Sequence, residues 1–232
     1  RENVENGKQV GKYTIVEPLE RGAMGCVYVA SYENRYFALK VMCPDHPNKS
    51  LAQEFLQQEI DCCREASGHP NTLTYIDHGT YEPVAGGVKH LYLVTELLDG
   101  MTLKEFVPEG RPLSQEEGLL IALQLAEAVR HLHEKGIIHR DLKPSNVFLV
   151  KKNRGRAGWV KVIDYGLALK VTAQASGTNK VPGTQSKKAP RGNYGRKIFG
   201  TPAYMAWEQL EGQAYLCSDV FSLGLILYFL FA

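Results

Sequence analysis

The feature that most restricts the fold is a change in hydrophobic period near residue 99. Before it, apolar residues alternate in short runs separated by turn residues, a pattern typical of β-strands. Only residues 51–66 interrupt these runs, with apolar side chains at helical spacing. After it, residues 114–136 open with a capping box of Ser114 and Glu117, the signature of a long helix. The order predicts an α+β chain, strand-rich first and helix-rich second.

Domain limits are expected to follow the same change. We predict a leader over residues 1–12, a first lobe over 13–98, and a second lobe over 99–232 that contains a loop insertion at 170–200. Residues 170–197 hold seven Lys/Arg and no Asp/Glu, with no hydrophobic period, so a solvated, disordered loop is predicted. The alternative is a segment that is phosphorylated or binds acidic partners. Its candidate hydroxyl groups belong to Thr172, Ser176, Thr178, Thr184 and Ser186.

Composition removes several classes of protein. A net charge of +2 favours neither a nucleic acid nor a membrane surface as partner. The five cysteines show neither a C-x-x-C pair nor metal-ligand spacing, which predicts reduced thiols in a reducing, cytoplasmic compartment. The most apolar stretch, residues 220–232, has 13 residues and is shorter than the roughly 20 that a spanning helix needs. We therefore predict a buried core helix there and no membrane span in this segment.

The first group of residues with chemical potential lies in the strand-rich part. A turn with glycines at 22 and 25 between two strands lets backbone N–H groups approach phosphate oxygens, although a plain hairpin turn is the alternative. Lys40 ends an apolar strand, where an inward-facing ammonium group needs an anion. That anion is either a phosphate or the carboxylate of Glu59, which would otherwise be a solvated residue on a helix.

A second group lies in the loop "HRDLKPSN", where Asp141, Lys143 and Asn146 stand between two apolar runs. A third motif, "VIDYG", contributes Asp164. Ionised side chains in a partly buried loop are costly unless each has a partner or a role. The two motifs therefore mark a candidate site rather than an ordinary turn.

Taken in order, "ERGAMG", "FALK", "HRDLKPSN" and "DYG", followed by "GTPAYMAWEQLEG" and "SDVFSLGLILY", resemble the signature of eukaryotic-type (Hanks-type) Ser/Thr protein kinases. The wording is most similar to the bacterial branch, and the resemblance covers roughly residues 13–232. It implies a bilobal fold with a small antiparallel-sheet lobe carrying one helix and a larger, mainly helical lobe. It further implies ATP and Mg²⁺ as cofactors and a Ser/Thr hydroxyl of a protein as acceptor. Arg140, before the catalytic Asp, is typical of kinases regulated by activation-loop phosphorylation.

The resemblance also assigns roles to single residues. Asp141 would orient the acceptor hydroxyl and take its proton, with Lys143 and Thr201 beside it. Asn146 and Asp164 would bind Mg²⁺. The implied nucleotide-binding residues are Leu19, Gly22, Ala23, Met24, Gly25, Val27, Ala38, Lys40, Glu59, Thr95, Glu96, Leu98 and Phe148.

Four positions depart from the family pattern. Glu20 replaces the first glycine of the loop, and its charge is expected to weaken nucleotide affinity. Tyr165 replaces a Phe and brings a hydroxyl group that needs a partner. Trp207 replaces a Pro, for which the sequence gives no physical reason. Glu208 is expected to lack its usual Arg partner, because the sequence stops inside the helix that begins near Asp219 and the lobe is expected to be truncated there.

The leading interpretation is an active protein Ser/Thr kinase whose partners are protein substrates, with a second copy of itself as a further candidate through trans-autophosphorylation. The first alternative is a nucleotide-binding pseudokinase or inactive fragment that serves as a binding or scaffold module. Glu20 and the expected truncation favour it, whereas the intact catalytic motifs oppose it. The second alternative is a small-molecule kinase of the same fold, which the peptide-positioning segment around Thr201 disfavours.

Overall fold

The computed structural model describes residues 6–22, 25–42, 48–83, 87–107, 113–171 and 200–231. The chain forms two compact units. The first runs from Arg1 to Ser67 and from Leu73 to Leu98, and the second from Gly68 to Thr72 and from Asp99 to Ala232. Two predicted sites lie outside the described residues, namely the loop positions Ala23 and Met24 and the hydroxyl groups of the 170–200 insertion.

The first unit is built on a six-stranded antiparallel sheet with the strand order β1-β2-β3-β4-β6-β5. The strands are β1 (Gln9–Val10), β2 (Tyr13–Arg21), β3 (Gly25–Tyr32), β4 (Arg35–Met42), β5 (Tyr75–Tyr81) and β6 (His90–Glu96). Glu33 and Asn34 form the predicted turn between β3 and β4, both with positive φ, which matches the twist of a two-residue hairpin. Strand β1 lies within the predicted leader and pairs with the start of β2.

One face of this sheet carries an apolar core of its own, with Tyr13, Phe37 and Tyr92 among its members. The Tyr13 hydroxyl donates to Asp77 Oδ2 at 2.9 Å, and Lys12 Nζ lies 3.0 Å from the same oxygen. Burial, together with the hydrogen bond to Asp77, raises the pKa of Tyr13 to about 12. These contacts join β2 to β5, which are not neighbours in the strand order, so the sheet is curled.

A single long helix completes the first unit, as the sequence predicts. Helix α1 (Lys49–Ala66) begins where the Asn48 side chain accepts a hydrogen bond from Leu51 N, and ends with Ser67 N donating to Cys63 O. Of its predicted apolar positions, Phe55, Leu56, Ile60 and Cys63 are buried, whereas Leu51 is half-buried.

The second unit combines helices with short strands. The helices are α2 (Leu103–Phe106), α3 (Gln115–Glu134), α4 (Trp207–Leu210) and α5 (Leu216–Phe231). The strands are β7 (Gly100–Thr102), β8 (Ile137–Ile138), β9 (Val147–Val150), β10 (Val160–Val162) and β11 (Leu169–Lys170). They form a three-stranded sheet of order β10-β9-β7 and a β8–β11 pair. The α+β class is therefore confirmed.

Helix α3 shows how the sequence sets its limits and its packing. Ser114 Oγ accepts from Glu117 N at 3.2 Å, which confirms the predicted N-cap. The Glu117 carboxylate accepts from the Ser114 hydroxyl at 3.1 Å, not from the Ser114 backbone, so only half of the predicted capping box is formed. A Cβ on Gly118 would lie 2.5 Å from Phe231 Cε1, so a larger residue there would displace the Phe231 ring of α5.

Helix α5 differs from the fully buried helix that its composition predicts. Asp219, Ser222, Ile226 and Leu230 are buried, whereas large apolar side chains on another side of the helix are exposed among the described residues. Those exposed side chains are Val220, Phe221, Tyr228 and Phe231. No described helix combines the length and the apolar character that crossing a membrane requires.

Three of the unusual positions obtain a structural explanation. Tyr165 is buried and its hydroxyl donates to Val162 O at 3.2 Å, which supplies the partner that it needs. Trp207 is the first residue of α4 and is 73% exposed; a Pro suits that position because the N–H there has no intrahelical partner. Glu208 accepts a hydrogen bond from the Ser218 hydroxyl.

Candidate active site

In the first unit the predicted pair of Lys40 and Glu59 is formed. Lys40 Nζ on β4 lies 2.7 Å from both Glu59 carboxylate oxygens on α1. The side chains are 20% and 8% exposed, so the two charges are largely removed from water. A buried ammonium and carboxylate in such contact hold each other in one geometry, since losing either leaves an uncompensated charge.

The predicted phosphate loop packs directly on Lys40. Gly22 N donates to Gly25 O at 2.9 Å and closes the turn between β2 and β3. A Cβ on Gly25 would lie 3.0 Å from Lys40 Cε and 3.0 Å from Val41 O, so a side chain there would press on Lys40 and on the backbone of β4. Glu20 is exposed, which reduces the repulsion predicted for its charge.

Strand register brings other predicted nucleotide-binding residues together. Val27 is opposite Lys40, and Ala38 is opposite Thr95. Side chains on one face of a strand recur every second residue, so these four lie on the same face of the sheet. The apolar core that contains Tyr28 and Leu39 lies on the other face.

The remaining predicted nucleotide-binding residues lie at an exposed position, near the end of the first unit, or in the second unit. Leu19 on β2 is 55% exposed, and Leu98 ends the first unit. Glu96 ends β6 and its side chain accepts from Thr74 N at 2.7 Å. Phe148 belongs to the second unit, on β9 opposite Lys161.

In the second unit, three predicted catalytic side chains form a closed set of hydrogen bonds. Lys143 Nζ donates to Asp141 Oδ2 at 2.6 Å and to Thr201 Oγ1 at 2.8 Å. The Thr201 hydroxyl in turn donates to Asp141 Oδ1 at 2.8 Å. Both carboxylate oxygens of Asp141 are thus engaged, and the ammonium group of Lys143 partly balances its charge.

Asn146 and Asp164 are the predicted metal ligands. Asn146 Nδ2 donates to Asp141 O at 2.8 Å and to Asp141 Oδ2 at 3.1 Å, which leaves the amide oxygen outside these bonds. Ile163 N, next to Asp164, donates to Asn146 O at 3.0 Å, so the two motifs are joined through their backbones. Asp164 is exposed and has a φ of +62°, with Gly166 N donating to its Oδ1 at 3.3 Å.

This donor set fits Mg²⁺, which prefers carboxylate and amide oxygens and commonly keeps water and phosphate oxygens as its other ligands. Within the described ranges, no group of three or more His, Cys, Asp or Glu side chains is arranged to hold a metal ion alone. Asn146 and Asp164 would therefore bind the ion together with phosphate.

Asp219 is a functional residue that sequence reasoning placed only at the start of a helix. Its side chain is 1% exposed and accepts from His139 N and Arg140 N, both at 2.9 Å, and its Oδ2 lies 2.9 Å from His133 Nε2. These bonds hold Arg140, whose φ of +66° is unfavourable for a non-glycine residue. A lone acid preceding thirteen uncharged residues was the sequence signal for it.

Gln209 is a second residue to which the sequence analysis assigned no role. Its side-chain Nε2 donates to Arg140 O at 2.8 Å, and its Oε1 accepts from Ala206 N at 3.1 Å. The available signal was weak, because the N-cap position carries Ala rather than the Ser or Thr of a full capping box.

Comparison with known proteins decides the family. A family model described as the protein kinase domain matches residues 13–232. The chain belongs to the protein kinase domain family. ATP, typically with Mg²⁺, is the cofactor that this family implies. The bacterial relatives described next confirm the predicted Hanks-type Ser/Thr resemblance.

Bacterial Ser/Thr kinases are among the curated relatives of this kinase domain. A probable serine/threonine-protein kinase PknB of Lactococcus lactis is 32% identical over 95% of this chain and 32% of that protein. Serine/threonine-protein kinase Pkn1 of Myxococcus xanthus is 33% identical over 96% and 29%. Serine/threonine-protein kinase PrkC of Bacillus subtilis is 32% identical over 96% and 31%. The chain spans about a third of the length of these relatives.

Proposed function

We propose that this kinase domain transfers the γ-phosphoryl group of ATP to Ser or Thr hydroxyl groups of proteins. The observation that carries the proposal is the hydrogen-bonded set of Asp141, Lys143 and Thr201 next to Asn146. Phosphoryl transfer needs mainly positioning and charge neutralisation, and these side chains supply both.

Asp141 would orient the acceptor hydroxyl and accept its proton. Its carboxylate is held at both oxygens, so it is presented to the acceptor in one orientation. A positioned base of this kind contributes on the order of 10² to 10⁴ in rate. Lys143 would offset negative charge on the transferred group, since its ammonium group already lies 2.6 Å from the base.

The same proposal gives the other motif residues a part in nucleotide binding. Lys40, steadied by Glu59, would contact the α- and β-phosphates, and Val27 and Ala38 would contact the adenine. Mg²⁺, when bound by Asn146 and Asp164, would neutralise phosphate charge.

Three finer points extend the proposal. The kinase domain acts on itself in trans, with the hydroxyl groups of the 170–200 insertion as acceptors. Phosphorylation of that segment regulates activity. The kinase domain works inside the cell. This agrees with the free thiols of four cysteines in the described part of the chain, Cys26, Cys62, Cys63 and Cys217.

A transfer assay and a binding assay together test the proposal. The chain is incubated with Mg²⁺ and γ-labelled ATP, with and without casein, and label is assigned by phosphoamino-acid analysis. We expect the label on phosphoserine and phosphothreonine. In Asp141→Asn, the rate of phosphoryl transfer should fall by a factor on the order of 10² or more. The matched control is Asp99→Asn, because Asp99 is exposed and lies outside the catalytic motifs.

Nucleotide binding is followed separately by the shift of thermal unfolding with ATP and Mg²⁺. A shift without any transfer would identify a pseudokinase and overturn the proposal. Label on tyrosine would overturn the assignment to Ser and Thr. Label confined to added proteins, with an unmodified 170–200 insertion, would overturn autophosphorylation alone.

A further inference from the structure

The Gln209 carboxamide joins two stretches of backbone. Gln209 is 4% exposed, and both polar atoms of its side chain are used. Its Oε1 accepts from Ala206 N at 3.1 Å within its own helix end, and its Nε2 donates to Arg140 O at 2.8 Å, 69 residues away in the sequence. The first bond is a local helix cap, whereas the second reaches the loop that carries Asp141.

The carbonyl group that Gln209 binds belongs to the peptide unit between Arg140 and Asp141. A peptide unit is planar, so fixing the Arg140 carbonyl also fixes the direction of the Asp141 N–H. The preceding peptide is held from another element, because Asp219 on α5 accepts from Arg140 N at 2.9 Å. Arg140 has a φ of +66°, a conformation that persists only when its surroundings impose it.

The start of the segment that carries Gln209 also lies beside the Arg140 carbonyl. A Cβ on Gly200, which has a φ of +119°, would lie 3.0 Å from Arg140 O. Thr201, the next residue, donates to the Asp141 carboxylate at 2.8 Å. The stretch from Gly200 to Gln209 therefore contacts the side chain of Asp141 through Thr201 and the backbone before it through Gln209.

We propose that Gln209 is a positioning residue for phosphoryl transfer, which orients Asp141 by holding the Arg140 carbonyl. This inference rests on the proposed kinase activity. It predicts that losing the Nε2 donor lowers kcat and leaves the KM for ATP unchanged, because the Gln209 carboxamide bonds to the backbone at Ala206 and Arg140, neither of which is assigned to nucleotide binding.

Two substitutions separate positioning from helix capping. Gln209→Glu keeps an oxygen for Ala206 N, and Glu is favoured at this third helical position, but its carboxylate has no donor for Arg140 O. Gln209→Leu removes both bonds without adding charge. We expect kcat at pH 8 to fall roughly 10- to 100-fold in both, with the KM for ATP within about twofold of the parent. The matched controls are Gln115→Glu and Gln115→Leu, at the exposed first residue of α3.

A pH series makes the test specific for the missing donor. A protonated Glu carries one O–H donor and one acceptor, as the amide does, and burial raises the pKa of a carboxyl group. The kcat of Gln209→Glu relative to the parent is therefore expected to rise as the pH falls from 8 to 5.5, whereas that of Gln209→Leu stays low. A purely structural role would not produce this recovery.

The outcomes are distinguishable. Parental kcat for Gln209→Glu at pH 8, or a lowered kcat whose ratio to the parent does not change with pH, overturns the positioning role. Should the Glu variant not fold by circular dichroism, Gln209→Leu decides, and parental kcat in that variant overturns the inference. An inactive parent overturns the proposed kinase activity itself.

Discussion

The two groups of motif residues are held in contrasting ways. In the first unit, Lys40 and Glu59 project from a regular strand and a regular helix and meet in one direct ion pair. In the second unit, Asp141 lies in irregular backbone, and Arg140 and Asp164 both have positive φ. There the geometry depends on a network of hydrogen bonds rather than on secondary structure.

The difference shows what each arrangement requires. A regular strand and a regular helix fix their own backbones, so the Lys40–Glu59 ion pair has only to join two elements that are already formed. An irregular loop must be held at many backbone groups, which is why Asp219 and Gln209 bind the amide and the carbonyl of Arg140. We therefore expect substitutions at the ion pair to affect stability strongly, and substitutions in the loop to affect catalysis strongly.

The largest effect is expected from Asp164→Ala in the second unit. Removing a proposed metal ligand should lower kcat/KM at least as much as Asp141→Asn, for which a loss on the order of 10² to 10⁴ is expected. Asp164 is exposed, but an Ala at its φ of +62° is strained and loses the bond from Gly166 N, so the melting temperature should fall modestly and the kinetics are measured well below the transition. Steady-state kinetics beside thermal unfolding, with Asp99→Ala as control, measures both, and near-parental turnover of Asp164→Ala would refute its assignment.

An intermediate effect is expected from breaking the ion pair in the first unit. Lys40→Met leaves the Glu59 carboxylate buried without its ammonium partner, which should cost about 3 kcal/mol in the free energy of unfolding. The double variant Lys40→Met/Glu59→Leu should lose less than the sum of the single variants, because it leaves no unpaired charge. Urea unfolding measures these values.

Arg64→Met provides the control, because it breaks an exposed pair with Asp61 on the same helix and should cost far less. Additive losses in the double variant, or equal losses at Lys40 and Arg64, would contradict the conclusion that the buried Lys40–Glu59 pair stabilises the first unit more than an exposed pair does.

The smallest effect concerns the opposite face of the same sheet. Burial raises the pKa of Asp77, but hydrogen bonds from Lys12, Tyr13 and the His78 backbone outweigh it, so the pKa lies below its ordinary value. A carboxyl group with a lowered pKa in the folded state stabilises the fold above its unfolded pKa near 4 and loses this contribution as the pH falls. Asp77→Asn should therefore cost about 1 kcal/mol at pH 7 and less at pH 3, with unchanged kcat.

Denaturant unfolding at both pH values checks this sign, with Asp99→Asn as the control. A difference between parent and Asp77→Asn that grows on acidification would show that the contacts of Lys12 and Tyr13 do not favour the ionised carboxylate. A fall in kcat would show that this face of the sheet also takes part in the reaction.

The local sequence determined several strands and helices of this protein and its family. Alternation and turn residues predicted the strands from β2 to β6, because these signals act between residues that are close in the chain. For the same reason, helical spacing predicted α1, and helical spacing with Ser114 as a capping residue predicted α3. Motif order predicted the family, and an inward-facing Lys40 predicted an anion near it, since a buried charge needs a partner.

Only the tertiary structure decided how Asp141 is held. Asp219 and Gln209 reach Arg140 from 79 and 69 residues away, and neither has a local pattern that names its partner. The positive φ of Arg140 also depends on packing between distant segments. These hydrogen bonds join residues that are far apart in the sequence and come close only in the folded chain. The spacing of residues in the sequence therefore does not predict them.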